Sequence, residues 1–166
     1  MVPTVPPAAG VHFRIATVAD VPAMEAARDT DPEVGPADYR MAAYMAGKHH
    51  PQQAFATRVV YVALDGPIVV GYIAGHLTRR YSCDGELQYL FMSKPHRRMG
   101  VAAALLEHLA GWFADQGASK ICVNVNDDSP GARPFYASRG ATVLSKHWMI
   151  WNDIRTTFPR GARCQP

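Results

Sequence analysis

The sequence predicts an α/β (α+β) fold, a central twisted mixed sheet of six to seven strands with helices on both faces. Three observations point there. Strand signals come as a run of three, at 59–64, 68–77 and 86–92. The clearest helix of the chain, 100–116, follows directly, and a short apolar strand at 120–125 follows that helix. A meander that feeds a strand–helix–strand crossover closes as a mixed sheet covered on both sides.

Each element has its own signal. Residues 11–16 alternate in polarity and read as a strand. Asp20 is a candidate N-cap, and Pro22 sits early in a helix through Met24, Glu25 and Ala27. Pro32, Gly35 and Pro36 interrupt the chain before a second helix at 37–47, where Tyr39, Ala42, Ala43 and Ala46 recur at helical spacing. The Asp65-Gly66-Pro67 turn joins the first two strands of the run as a hairpin. Within 100–116, Val101, Ala104, Leu105, His108, Leu109 and Trp112 make one apolar stripe, and Gly117 is a natural stop. A helix at 129–139 ends at Gly140. If it began at residue 130, Pro134 would delete an internal hydrogen bond at a cost of about 3 kcal/mol. Its regular part is therefore expected to start nearer Ala132, with Pro134 in the first turn. Residues 142–151 supply one strand or a hairpin turning near Ser145. The ends, 1–10 and 156–166, are rich in proline and small residues and read as flexible tails around a single domain, 11–155.

Composition narrows the class. With 48% hydrophobic and 19% charged residues, the chain is an ordinary globular one rather than a disordered one. Lys and Arg number 17 against 14 Asp and Glu, an excess too small and scattered to argue for nucleic acid. Cys83, Cys122 and Cys164 are odd in number and show no CxxC or CxxH spacing, which speaks against a disulfide framework or a zinc site. The opening MVPTVPPAAG has neither a basic nor an apolar leader region, and no apolar run approaches the roughly 20 residues of a membrane span. A soluble, cytoplasmic protein without metal is expected.

The most informative stretch is LFMSKPHRRMGVAAALLEHL. A strand ends at Met92, a basic turn follows, and a long helix opens near Gly100. The first N–H groups of a helix have no intrahelical acceptor and carry the positive end of its dipole, so they form an anion site. Gly100 lets a phosphate reach the backbone, and Ala102 keeps the next contact small. Lys94, His96, Arg97 and Arg98 concentrate positive charge at that point. Neither GxxxxGK[ST] nor GxGxxG is present, which excludes a P-loop and a dinucleotide fingerprint.

With these residues the sequence resembles the GNAT superfamily of N-acetyltransferases. Their cofactor motif, [RQ]-x-x-G-x-[GA], is matched by Arg97, Gly100 and Ala102 in RRMGVA. A second block, SPGARPFYASRGA, is similar to the family's N-x-x-A-x-x-[FL]-Y-x-x-x-G-[FA] at Ala132, Phe135, Tyr136 and Gly140. The opening FRIATVADVPAM resembles the usual first strand and helix. The resemblance implies a GNAT-like acyl-CoA N-acyltransferase fold that binds acetyl-CoA and an amine acceptor. It implies that backbone groups of Phe91 and Met92 bond the pantetheine arm. Amides of Arg98, Met99, Gly100, Val101 and Ala102 would hold the diphosphate, with the Arg97 side chain near them. Ser129 stands where the family usually has an Asn contacting the cofactor, and Arg133 reaches either a phosphate or solvent. Self-association into a homodimer is compatible with the resemblance, though no residue fixes it.

Acetyl transfer to an amine needs a base, an oxyanion donor and a proton for the departing thiolate. Glu86 is the candidate base. On a regular strand its even spacing from Met92 puts both on one face, with Tyr89 facing the other way, and the offset is that of the base in histone-acetyltransferase-like relatives. The alternative is that Glu86 caps the exposed start of the strand beside Asp84 and Gly85. Gln88 is a second candidate for orienting water or substrate. Tyr136 matches the family tyrosine that faces the cofactor sulfur and is the candidate acid, and the Met92 N–H the candidate oxyanion donor. His49 and His50 read as surface residues, while His76 and His147 either line the acceptor pocket or are ordinary strand residues. Asp29, Asp31, Glu33 and Asp38 form an acidic segment that either attracts a cationic amine or is solvated. Tyr72, Tyr81, Trp148 and Trp151 are candidates for an aromatic wall. A small-molecule or peptide N-acetyltransferase is the main expectation. A non-catalytic acyl-CoA sensor and an acetyltransferase acting on aminoacyl-tRNA are the alternatives.

Overall fold

The computed structural model describes residues 10–31, 40–127 and 130–159. Its single seven-stranded sheet runs in the order β1-β2-β3-β4-β5-β7-β6. Strands β1 (Val11–Ile15), β2 (Ala54–Asp65), β3 (Ile68–Thr78) and β4 (Gly85–Met92) are an antiparallel meander. The chain then crosses to β5 (Ile121–Asn124), which lies parallel to β4. Residues 142–151 are the hairpin form, β6 (Thr142–Ser145) and β7 (Trp148–Trp151), and β7 inserts between β5 and β6. The expected mixed sheet is present.

Helices α1 (Val21–Asp29) and α2 (Met41–Met45) cover one face, where Val21, Met24, Met41 and Tyr44 pack on Val60, Val62, Tyr72, Ala74 and Phe91. On the other face α3 (Val101–Asp115) sets Val101, Leu105, Leu106, Leu109, Ala110 and Phe113 against Val59, Ile73, Leu87 and Met92. Alternation along β2 feeds both cores, Val59 and Ala63 pointing one way and Val60 and Val62 the other. Fully burying such a side chain stabilises by roughly 1.5–3 kcal/mol. The α3 stripe is rotated from the expected one. Val101, Leu105 and Leu109 are buried as read, but His108 sits at the margin, stacked on Phe13 with centroids 5.2 Å apart. In α2 the buried positions are Met41 and Tyr44, not the alanines, and the predicted Tyr39 lies outside the described residues. Phe113 fits the notch left by Gly75 and Gly85: a Cβ at Gly85 would sit 2.8 Å from Phe113 Cδ1, and one at Gly75 2.9 Å from Phe113 Cζ.

Two local readings change. Asp20 does precede α1, but its carboxylate does not cap it. It faces backwards, accepting from the Thr17 N–H at 2.7 Å and, through both oxygens, from Arg14 at 2.8 Å. The domain also crosses its expected end at 155, since α5 (Ile154–Thr157) spans it and Phe158 packs on the core. Helix α4 (Ala132–Ser138) starts where Pro134 requires. The Phe135 N–H makes the first bond, 3.2 Å to Gly131 O, and the proline loses none.

Candidate active site

The loop expected to bind an anion lies between β4 and α3. Pro95 stands in a short helical turn, Lys94–His96, after which the chain reverses through two left-handed residues, Arg98 (φ 62°) and Gly100 (φ 79°). Gly100 is the N-cap residue of α3, and with no side chain it offers nothing to the free N–H groups behind it. The first helical bond runs from the Ala104 N–H to Gly100 O at 3.0 Å. Successive amides in alternating backbone conformations form an anion-binding concavity. Val101, 1% exposed, anchors the loop in the core, while Arg98 and Met99 are exposed.

Side-chain bonds from two residues pin the loop. Arg97 gives Nε to Met92 O at 3.2 Å and Nη2 to the buried carboxylate of Asp31. His96 Nδ1 meets Ser93 Oγ at 2.9 Å, and its Nε2 meets Asp65 Oδ2 at 3.2 Å in the β2–β3 turn. The Arg97 side chain, expected beside the diphosphate, therefore ties the loop to the end of α1. Asp31, expected in a solvated or substrate-attracting acidic segment, is its 6% exposed partner. Asp29 is exposed, and Glu33 and Asp38 lie outside the described residues. The same holds for Ser129, so its expected cofactor contact is not described.

Beside this loop, β4 parts from β5. Their ladder covers only Gly85–Leu87 against Ile121–Val123, although β4 continues to Met92. The Val125 N–H has turned away to His147 O, 2.7 Å distant. Backbone groups of β4 near Phe91 and Met92 thus border a split in the sheet, next to the start of α3. At the mouth of the split β4 bulges, because Leu87 pairs with Gly75 and Tyr89 with Ala74, leaving Gln88 as the extra residue.

That bulge corrects the reading of Glu86. The extra residue reverses the alternation, so Leu87, Leu90 and Met92 face α3 while Tyr89 and Phe91 face α1 and α2. Glu86 faces the α2 side with Tyr89, and the Met92 side chain faces the other. Nor does Glu86 cap an exposed strand start: it is 4% exposed. Its Oε2 lies 3.3 Å from His76 Nε2 and 3.3 Å from Arg80 Nε, neither contact aligned as a hydrogen bond. His76, fully buried and directly opposite on β3, meets the Tyr44 hydroxyl at 2.9 Å through Nδ1. The sequence named Glu86 but missed Tyr44, because the helical stripe read there ran through Tyr39, Ala42, Ala43 and Ala46 whereas the buried positions are Met41 and Tyr44. Gln88 Oε1 is buried without a hydrogen-bond partner.

Tyr136 is buried on α4 with its ring edge-on to Trp151, centroids 5.7 Å apart. Burial pushes its hydroxyl well above the usual tyrosine range, so it stays protonated at neutral pH. Of the expected aromatic wall, Tyr72 and Trp151 are core residues, each 1% exposed. Tyr81 and Trp148 do pair, at 5.1 Å, with the Arg80 guanidinium 4.8 Å over the Trp148 ring. His49 and His50 serve Arg58, which bonds His49 O and His50 Nδ1 at 2.9 and 2.8 Å. His147 is exposed, and Arg133 bonds Lys146 O. Among the described residues there is no cluster of His, Cys, Asp or Glu that could hold a metal ion, and no helix long and apolar enough to cross a membrane.

Comparison with known proteins supplies the context. No curated protein matches the sequence. Solved structures do match the fold. A GNAT-family protein from Desulfovibrio desulfuricans superposes with a TM-score of 0.70 at 14% identity, over 87% of this chain and 99% of that one. The PaiA N-acetyltransferase of Thermoplasma acidophilum, solved with coenzyme A, gives 0.67 at 12% identity, over 86% and 98%. An acetyltransferase from Thermus thermophilus gives 0.65 at 17% identity, over 89% and 97%. Residues 24–141, more than half of the chain, match the family model described as Acetyltransferase (GNAT) family. An uncapped helix start, a strand pair that splits beside it and the family match agree, and the chain belongs to the GNAT family of acetyltransferases.

Proposed function

We propose that this protein moves the acetyl group of acetyl-CoA to a primary amine of a small molecule or peptide, by direct attack with both substrates bound. The observation that carries this reading is the uncapped, glycine-initiated start of α3 beside the split between β4 and β5. One element offers free amides to a diphosphate and the other offers strand backbone to a pantetheine arm. Coenzyme A has that combination of groups, and the Thermoplasma PaiA enzyme was solved with it. Amides of residues 98–102 take the diphosphate, and backbone groups of Phe91 and Met92 take the arm.

The chemistry distributes over three groups. The amine nitrogen bonds to the thioester carbon as the carbon–sulfur bond breaks, and one nitrogen proton must leave. Glu86 takes that proton through a water, working from the α2 side of the split, and Gln88 Oε1 is placed by the bulge to orient the water or amine. The side-chain reversal at Gln88 does not affect the Met92 amide, which lies in the plane of the sheet and donates to the carbonyl oxygen as it gains charge. Tyr136, kept neutral by burial, gives its proton to the departing thiolate and regains one from solvent.

The test is thiol release from acetyl-CoA with a panel of amines comprising a polyamine, free amino acids, an aminoglycoside, a lysine peptide and a peptide with a free N-terminus. Glu86→Gln and Tyr136→Phe are run alongside. Release that depends on the amine, with each variant slowed about 10²-fold or more, supports the assignment. Normal rates in both variants would remove the catalytic roles, and tight coenzyme A binding without release on any amine would favour a sensor.

A further inference from the structure

We propose that Tyr44 and His76 are positioning residues that fix one oxygen of Glu86 and leave the other for the substrate, an inference that rests on Glu86 being the base. Both close contacts of the carboxylate converge on Oε2, from His76 Nε2 and Arg80 Nε at 3.3 Å each. Tyr44 and His76 are fully buried, and Glu86 nearly so. The chain Tyr44–His76–Glu86 thus crosses from α2 through β3 to β4 away from bulk solvent.

The tautomer follows from donor counting. Burial holds the Tyr44 hydroxyl far above its usual pKa, so it carries its one proton. An unprotonated Nε2 of His76 would leave one acceptor 3.3 Å from another at Glu86 Oε2, whereas an N–H there is attracted to the carboxylate even though the contact is not aligned as a hydrogen bond. The proton therefore sits on Nε2, and Tyr44 donates to Nδ1 at 2.9 Å. Tyr44 sets the imidazole and the imidazole sets Oε2, so Oε1 is the oxygen that works.

Other groups around this chain are accounted for. Arg58 of β2 lies 4.6 Å over the Tyr44 ring, Tyr89 of β4 meets that ring edge-on at 5.6 Å, and Cys122 of β5 is directly opposite Glu86. Cys83 packs beside Cys122, and Arg80 completes the charged set. The nearby Asp84 carboxylate turns away, accepting from the Ser119 and Lys120 amides at 2.9 Å each.

The experiment uses the full chain, with Tyr44→Phe, His76→Gln, which keeps a donor near Nε2, and His76→Leu, which does not. Basal acetyl-CoA hydrolysis, where water is the acceptor, serves as the rate beside the best amine of the panel. In Tyr44→Phe, kcat should fall about fivefold to tenfold, the loss of one oriented hydrogen bond, with KM for acetyl-CoA unchanged. The acid limb of the pH–rate profile should move, more in His76→Leu than in His76→Gln. In a Glu86→Gln background Tyr44→Phe should have no further effect. Nitrogen-15 spectra of the wild-type protein should show the His76 proton on Nε2. Wild-type rates in Tyr44→Phe and His76→Gln while Glu86→Gln is slow, or a proton confined to Nδ1, would overturn the proposal and leave the base intact. A fully active Glu86→Gln would overturn both.

Discussion

Replacing Gly100 with alanine is the sharpest probe of the anion site, because the structure supplies its own control. Gly100 (φ 79°) opens α3, and Gly117 (φ 76°) lies just past its end in the same left-handed region. An L-residue in that conformation costs roughly 1–2 kcal/mol, and a Cβ at Gly117 meets nothing within 4 Å. Both substitutions should therefore lower thermal stability by a similar amount, about 2–4 °C per kcal/mol for a chain of this size. Only at Gly100 do the strained bonds belong to the amides proposed to take the diphosphate. Relief of the strain turns those N–H groups, and the new methyl stands on the proposed approach of the phosphate. A loss of ~1.4 kcal/mol from the bound state weakens affinity about tenfold. Calorimetric titration of coenzyme A into the wild type, Gly100→Ala and Gly117→Ala reads this directly. Equal and wild-type affinities in the two variants would refute the view that backbone at the start of α3 holds the diphosphate.

Three further outcomes follow from the geometry. Arg97→Leu leaves the Asp31 carboxylate buried beside an apolar side chain, and denaturant titration should show a loss of about 1–3 kcal/mol, below the range for a fully buried pair because Arg97 is 36% exposed. Asp31→Asn in the same chain should restore part of it. Gly85→Ala pushes a methyl into Phe113 and should cost about 1–3 kcal/mol, less when Phe113→Leu makes room. Hydrogen bonding to Arg14 holds the Asp20 carboxyl at about 2, below the usual carboxylate value near 3.9. In that window the unfolded chain binds more protons, so the contribution of Asp20 is complete above pH about 4 and lost as pH falls through about 2. Arg14 is 48% exposed and solvent screens the pair, so the effect is small. Asp20→Asn should flatten this part of the acid unfolding curve, and an unchanged curve would contradict the linkage.

Most of the fold was legible because its signals are local. The Asp65-Gly66-Pro67 turn, the long apolar helix closed by Gly117 and the proline at 134 each act through their own backbone, and the structure keeps them where the sequence put them. What the sequence hid depends on partners far along the chain. Nothing near Arg97 announces that its guanidinium belongs to Asp31, 66 residues earlier. Tyr44 lies off the helical stripe that Tyr39, Ala42, Ala43 and Ala46 suggest, and its partner His76 reads as either a pocket-lining or an ordinary strand residue until β3 and β4 are paired. Asp20 has the composition of a cap, but Arg14 and the Thr17 amide claim both its oxygens first.

The bulge at Gln88 explains both the misreading of Glu86 and the place where the site forms. A two-residue repeat is a sound rule while a strand stays in register, and one inserted residue inverts it for everything downstream. No residue type marks the insertion: Glu86, Leu87, Gln88 and Tyr89 would sit equally well in a regular strand. What requires it is the topology. β4 is held by β3 along its whole length but by β5 over only three residues, and the bulge falls where the second ladder stops. Local twist at a bulge increases, which turns the rest of β4 away from β5 and opens the split. Deleting Gln88 should therefore leave every side chain on its present face, since Leu87 and Tyr89 already pair with consecutive residues of β3, while removing the local twist and favouring continued pairing of β4 with β5. Coenzyme A binding should then be lost although Glu86 keeps its face, whereas binding that survives the deletion would refute the view that the bulge opens the split.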